Sequence, residues 1–107
     1  LLIKNKASID ALDGNQKTPL YYSTISNQIE IAKLLIQAGA HLNKQDNQGQ
    51  SSLHVACLQG KKDFLNLLLQ HGASIELENK EGRTPLFCAA FRGWKDGVEN
   101  LLKQGAN

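Results

Sequence analysis

The chain has 107 residues and two cysteines, carries a formal net charge of +2, and is 21% charged, with acids and bases interleaved. That is an ordinary solvated surface, without the basic stripe that a nucleic-acid partner would require. No apolar run approaches the length that spans a bilayer, so no membrane insertion by this segment is expected.

A 33-residue period runs through the sequence. Leu53 falls on Leu20 and Leu86, and Gly60 on Asn27 and Gly93. The pair Leu68-Leu69 falls on Leu35-Ile36 and Leu101-Leu102, and Gly72-Ala73 on Gly39-Ala40 and Gly105-Ala106. A fixed period of this length predicts a stacked repeat array in which each unit touches only its neighbours. The units are 1–12, the tail of a repeat whose first half is absent, then 13–45, 46–78, and 79–107, incomplete at its end.

In the first unit Lys6 stands where Gly39 and Gly72 stand, at a position that wants a left-handed backbone, so this turn is expected to be looser. In the next, Asp13-Gly14-Asn15-Gln16 is turn chemistry, and Thr18-Pro19 opens a helix with a capping hydroxyl and a preset first residue. Leu20, Ser23 and Thr24 lie on one face of it, and Asn27 ends it. Ile31, Leu34 and Leu35 are predicted to form the inner face of a second helix closed by Gly39, after which Ala40 to Gln45 runs extended. Unit 46–78 repeats the plan with Ser51-Ser52 in place of Thr-Pro. Unit 79–107 restores Thr84-Pro85 but puts Gly97 and Asn100 at apolar core positions. Each departure is expected to cost roughly 1 kcal/mol or more, making the last helix the weakest. Helices of about eight to ten residues are marginal alone, so neighbouring repeats must cover each other. Both ends look open and apolar, which is expected of an excerpt from a longer array.

Thr84-Pro85-Leu86, Ala89-Ala90, Gly93, Leu101-Leu102 and Gly105-Ala106 together resemble the ankyrin repeat, as do Thr18-Pro19-Leu20 and Ser51-Leu53-His54 with Ala56. Tyr21 and Phe87 depart from the family's TPLH signature, whose histidine survives only as His54. The resemblance covers nearly the whole chain. It implies an all-α repeat solenoid of stacked helix-turn-helix units with β-turn fingers, and a scaffold that binds a protein partner on its concave face. The rival reading is a regulatory region of a larger multidomain enzyme or ion channel.

The residues expected to line the concave face are the turn tips Asn15, Lys17, Gln48, Gln50, Glu81 and Arg83 and the first-helix ends Ile25, Ser26, Leu58, Gln59, Phe91 and Arg92. Ile25, Leu58 and Phe91 are 33 residues apart, so stacking should set them side by side as an apolar ladder with a polar edge. The alternative is that the three only close the seam between repeats.

No nucleophile, base and oxyanion donor converge, so no enzyme activity, cofactor or metal is expected. His41, His54 and His71 occupy three different frame positions, and His54 is expected to fix the turn before its own helix. Cys57 and Cys88 lack any CxxC spacing and read as reduced packing thiols, hence an intracellular chain, expected in the cytoplasm. Lys61-Lys62 reads as a solvated helix start, and Trp94 as a ring lying over a neighbouring turn, or else an exposed partner anchor. Asn43 resembles the target of the intracellular asparaginyl hydroxylase; the competing reading is a turn-forming Asn bonded to nearby backbone.

Overall fold

The computed structural model describes residues 9–106. Six short helices follow one another: α1 Pro19–Ile25, α2 Ile29–Gln37, α3 Ser52–Gln59, α4 Lys62–Gln70, α5 Pro85–Arg92 and α6 Lys95–Lys103. Among the described residues there is no strand. Lys6 lies outside them.

The first helix of each pair starts at a hydroxyl cap. The side chains of Thr18, Ser51 and Thr84 accept from the backbone N–H three residues on, at 3.1, 3.2 and 3.3 Å. The second helices have no side-chain cap. They instead carry Glu30, Asp63 or Asp96 in their first turn, where a negative charge meets the positive end of the helix dipole. Between the helices of a pair the chain reverses through a left-handed residue: Asn27, Gly60 or Gly93, with φ of 62, 65 and 81°. Asn does at the first reversal what Gly does at the others, because its short polar side chain tolerates that region.

Helices of seven to nine residues cannot persist alone, and here they pack in two rows. The first helices α1, α3 and α5 stack on one another, and each leans on its own second helix; α2 also packs on α4. Leu20, Leu53, Leu68 and Leu101 are fully buried along this stack, with Phe64, Leu65, Cys57 and Cys88 between them. Ser23 and Thr24, on the inner face of α1, are buried too; their hydroxyls donate to the Leu20 carbonyl at 2.7 and 3.0 Å, which satisfies them.

Three sequence expectations need correction. Ile31 and Leu34 are exposed, and the inner face of α2 is Ala32 and Leu35. The frame equivalents of Ile31 and Leu34 in the next unit, Phe64 and Leu67, are buried. This frame face turns toward the preceding repeat, as Asn100 demonstrates by donating from Nδ2 to Asn66 Oδ1 at 2.8 Å. Its cover therefore comes from the repeat before. The same bond makes Asn100 half of an inter-repeat amide pair rather than a failed core residue. Gly97, lastly, is buried because the Trp94 ring lies against it: a Cβ there would stand 2.3 Å from Trp94 Cε3. The space that an apolar side chain fills in α4 is filled by indole in α6, so the glycine is required by close approach.

Candidate functional site: turn tips and first-helix ends

Each turn is led by an Asp or Asn whose side chain folds back on the following backbone. Asp13 Oδ1 accepts from the N–H groups of Asn15 and Lys17, and Asp46 Oδ1 from those of Gln48 and Gln50, all at 2.9 Å. Asn79 Oδ1 accepts from Glu81 at 2.9 Å and Arg83 at 3.0 Å. Such side chains mimic a backbone turn and so build one shape three times. The middle turn needs a glycine: Gly49 has φ of 79°, and a Cβ on it would meet the Asn79 backbone at 2.8 Å. Gln16 takes the equivalent left-handed place in the first turn.

Backbone bonds join the tips. Asn47 N–H donates to Asn15 O at 3.1 Å, and Lys80 N–H donates to Gln48 O at 3.0 Å. Asn15, Gln48 and Glu81 are exposed in consequence along one edge. Lys17 and Gln50, one position deeper, are engaged between repeats. Lys17 Nζ lies 3.6 Å from Asp46 Oδ2, and Gln50 Oε1 accepts from Asn79 Nδ2 at 2.9 Å. Burial alone would raise the Asp46 carboxyl. The N–H groups of Gln50 and Gln48, the Tyr21 hydroxyl and the Lys17 charge outweigh it and hold the group below its ordinary value. Between the second and third tips is a hollow of about 290 Å³ lined by Gln48, Gln50, Asn79, Lys80 and Glu81.

At the first-helix ends the expected ladder is uneven. Ile25 is exposed, Leu58 is half-buried against the core, and Phe91 is 72% exposed. Ser26 and Gln59 are exposed; Ser26 Oγ donates to Tyr22 O at 2.5 Å. Arg92 is exposed but reaches back, its Nη1 donating to Leu58 O at 3.3 Å. Lys61 makes the matching contact one repeat earlier, its Nζ donating to Thr24 O. Lys61 is thus half-buried, and the expectation of a solvated Lys61-Lys62 pair holds only for Lys62. Cations belong at these carbonyls, where the helix dipole is negative.

Tip and helix end meet in the third repeat. The Arg83 guanidinium lies 5.0 Å from the Phe87 ring centroid and 5.7 Å from that of Phe91, and the two rings stack at 6.2 Å. Phe87, absent from the expected set, is 46% exposed. Its signal was present: Phe87 and Phe91 are four apart, the spacing of one helix face, and Arg83 stands just ahead of the Thr84 cap of that helix.

The other singled-out residues have local tasks. His54 is fully buried. Its Nδ1 accepts from the Ser51 N–H at 3.1 Å, and its Nε2 pairs with Arg83 O at 2.9 Å, so Nε2 carries the proton and donates. Burial pushes its pKa down. Burial pushes the Cys57 thiol up to about 12 and raises Cys88 as well, which leaves both protonated and unreactive at neutral pH. Trp94 is half-buried and packs on the core, its ring against Gly97 of the helix it precedes. Asn43 bonds across repeats rather than nearby: its Oδ1 accepts from the Ser74 N–H at 2.8 Å, as Asp10 accepts from the His41 N–H at 2.9 Å. A modifying enzyme would meet a side chain committed to the next repeat. Among the described residues no three His, Cys, Asp or Glu group as metal ligands, and no helix is long and apolar enough to cross a membrane.

Compared with protein families, the chain matches the one described as ankyrin repeats (three copies), over residues 1–46 and 42–107. Compared with curated proteins, it has no match.

Proposed function

Because the chain belongs to the ankyrin repeat family, whose modules generally bind other proteins and are typically non-catalytic, we propose that this segment holds a protein partner on the face made by its turn tips and first-helix ends. The observation that carries this reading is Phe91, at 72% exposure the most exposed large apolar side chain among the described residues. A large apolar side chain left in water on a face rimmed by Gln59, Arg83 and Arg92 has the composition of an interface core inside a polar rim. Asn15, Gln48 and Glu81 supply the exposed outer edge of the footprint, with Ile25 and Ser26 at its far end. Lys17, Gln50 and Leu58, tied up between repeats, act by holding the tips and helix ends in register.

Phe91→Ala tests this by quantitative affinity capture. Capture of the partner should weaken at least tenfold, about 1.4 kcal/mol or more, while the thermal midpoint stays nearly unchanged. A midpoint lowered by several degrees with capture intact would make Phe91 a seam residue and overturn the assignment.

A further inference from the structure

The two junctions between neighbouring tips are closed by different chemistry. At the first, Lys17 Nζ lies 3.6 Å from Asp46 Oδ2, and Asn47 Nδ2 donates to Asn15 Oδ1 at 3.5 Å, so these side chains are spent on one another. At the second, one period on, the same places hold Gln50 opposite Asn79 and Lys80 opposite Gln48. Asn79 Oδ1 accepts from the N–H groups of Glu81 and Arg83, which leaves its Nδ2 to face Gln50. Gln50 meets it with Oε1, at 2.9 Å, and so holds the tips in register while its Nε2 donors are left over. Among the described residues, neither Lys80 Nζ nor the Gln48 side chain has a partner. These groups line the hollow of about 290 Å³ between the second and third tips, together with Glu81. One Glu81 oxygen lies 3.6 Å from Arg83 Nη1, in a pair that water screens.

The lining thus offers two donors, Gln50 Nε2 and Lys80 Nζ, beside one acceptor, Glu81, and its two charges cancel. A carboxylate entering the hollow would meet the like charge of Glu81, and an ammonium that of Lys80. A primary amide carries an acceptor oxygen and two donor hydrogens, and it satisfies both sides without a charge. The volume lies at the floor of ligand pockets, roughly 300 Å³, which suits one side chain. We propose that the hollow between the second and third tips receives the side-chain amide of an Asn or Gln of the protein partner, its oxygen on Gln50 Nε2 and Lys80 Nζ and its N–H groups on Glu81. This rests on the protein-binding reading above and gives the partner its chemistry.

The test is to pan a random dodecapeptide phage library on the chain and to measure the enriched peptides by fluorescence anisotropy. The enriched peptides should share an Asn or Gln. Replacing that amide by its acid should weaken binding about fivefold, and Glu81→Gln in the protein should return most of the loss by removing the like charge. Lys80→Ala should weaken the amide peptide by a similar factor. Both side chains are exposed, and the tip bonds of these two residues run through their backbone N–H groups, so circular dichroism should show both variants folded. Enriched peptides without an amide, affinity indifferent to the change to acid, or a loss that Glu81→Gln does not return would overturn the proposal. If such peptides still lose affinity with Phe91→Ala, the protein-binding face stands and only its amide recognition fails. Failure to enrich any peptide would count against both.

Discussion

Gly97 and Trp94 show how one residue's meaning depends on another. Helix propensity alone says that Gly97→Ala should stabilise α6 by about 1 kcal/mol. A Cβ there would overlap the indole ring, which is itself packed on the core, and overpacking of this kind costs about 1–3 kcal/mol. The urea midpoint of Gly97→Ala should therefore fall. With Trp94→Ala in the background the same substitution should become neutral or stabilising, and independent, additive effects would refute the contact. Ser52→Pro is the opposite case. Ser51 has φ −96° and ψ 170°, close to the values of Thr18 and Thr84, each of which precedes a proline. The backbone is already shaped for the ring, so the substitution should add about 0.4–1 kcal/mol by restricting the unfolded chain. A lower urea midpoint would mean that the Ser52 hydroxyl or N–H has a partner worth more.

At the scale of the element, α3 hangs on His54. Its ring closes the capping box with Ser51 and reaches the Arg83 carbonyl of the next repeat, so one neutral imidazole ties a helix start to a turn. Protonating Nδ1 would aim a second donor at the Ser51 N–H and bury a charge. Burial lowers the folded pKa below the ordinary 6.5, so the unfolded chain takes up the proton first as pH falls. Stability from this group is full above that value and is lost as pH drops through the folded pKa. Urea midpoints should thus decline between about pH 6.5 and pH 5, and His54→Asn should start less stable but decline less over that window. Equal slopes for the two proteins would show that another group carries the dependence.

Across the whole molecule, stability is a sum over neighbours. The middle pair, α3 and α4, is covered on both sides, which is why Leu53, Phe64, Leu65 and Leu68 are all at 1% exposure or less. The outer pairs leave Ile31, Leu34, Phe87 and Leu102 in water. Hydrogen exchange should be slowest for the amides of α3 and α4 and faster in α1, α2, α5 and α6. Uniform protection would mean that the stack opens only as one unit.

The sequence by itself determined the repeat period, the hydroxyl caps, the left-handed reversals and the leucine spine, because each depends on residues a few positions apart or one period away. It also marked the tips, since Asp13, Asp46 and Asn79 build their turns from local bonds. Only the tertiary structure decided which of the marked residues remain free. Lys17, Gln50, Lys61 and Asn43 each look like a solvated polar residue in sequence, yet each spends a polar atom on the adjacent repeat. Phe91 and Leu58 share one frame position, and one stands in water while the other packs on the core. The periodicity places residues along a helix, but exposure depends on what the adjacent repeat puts against each of them.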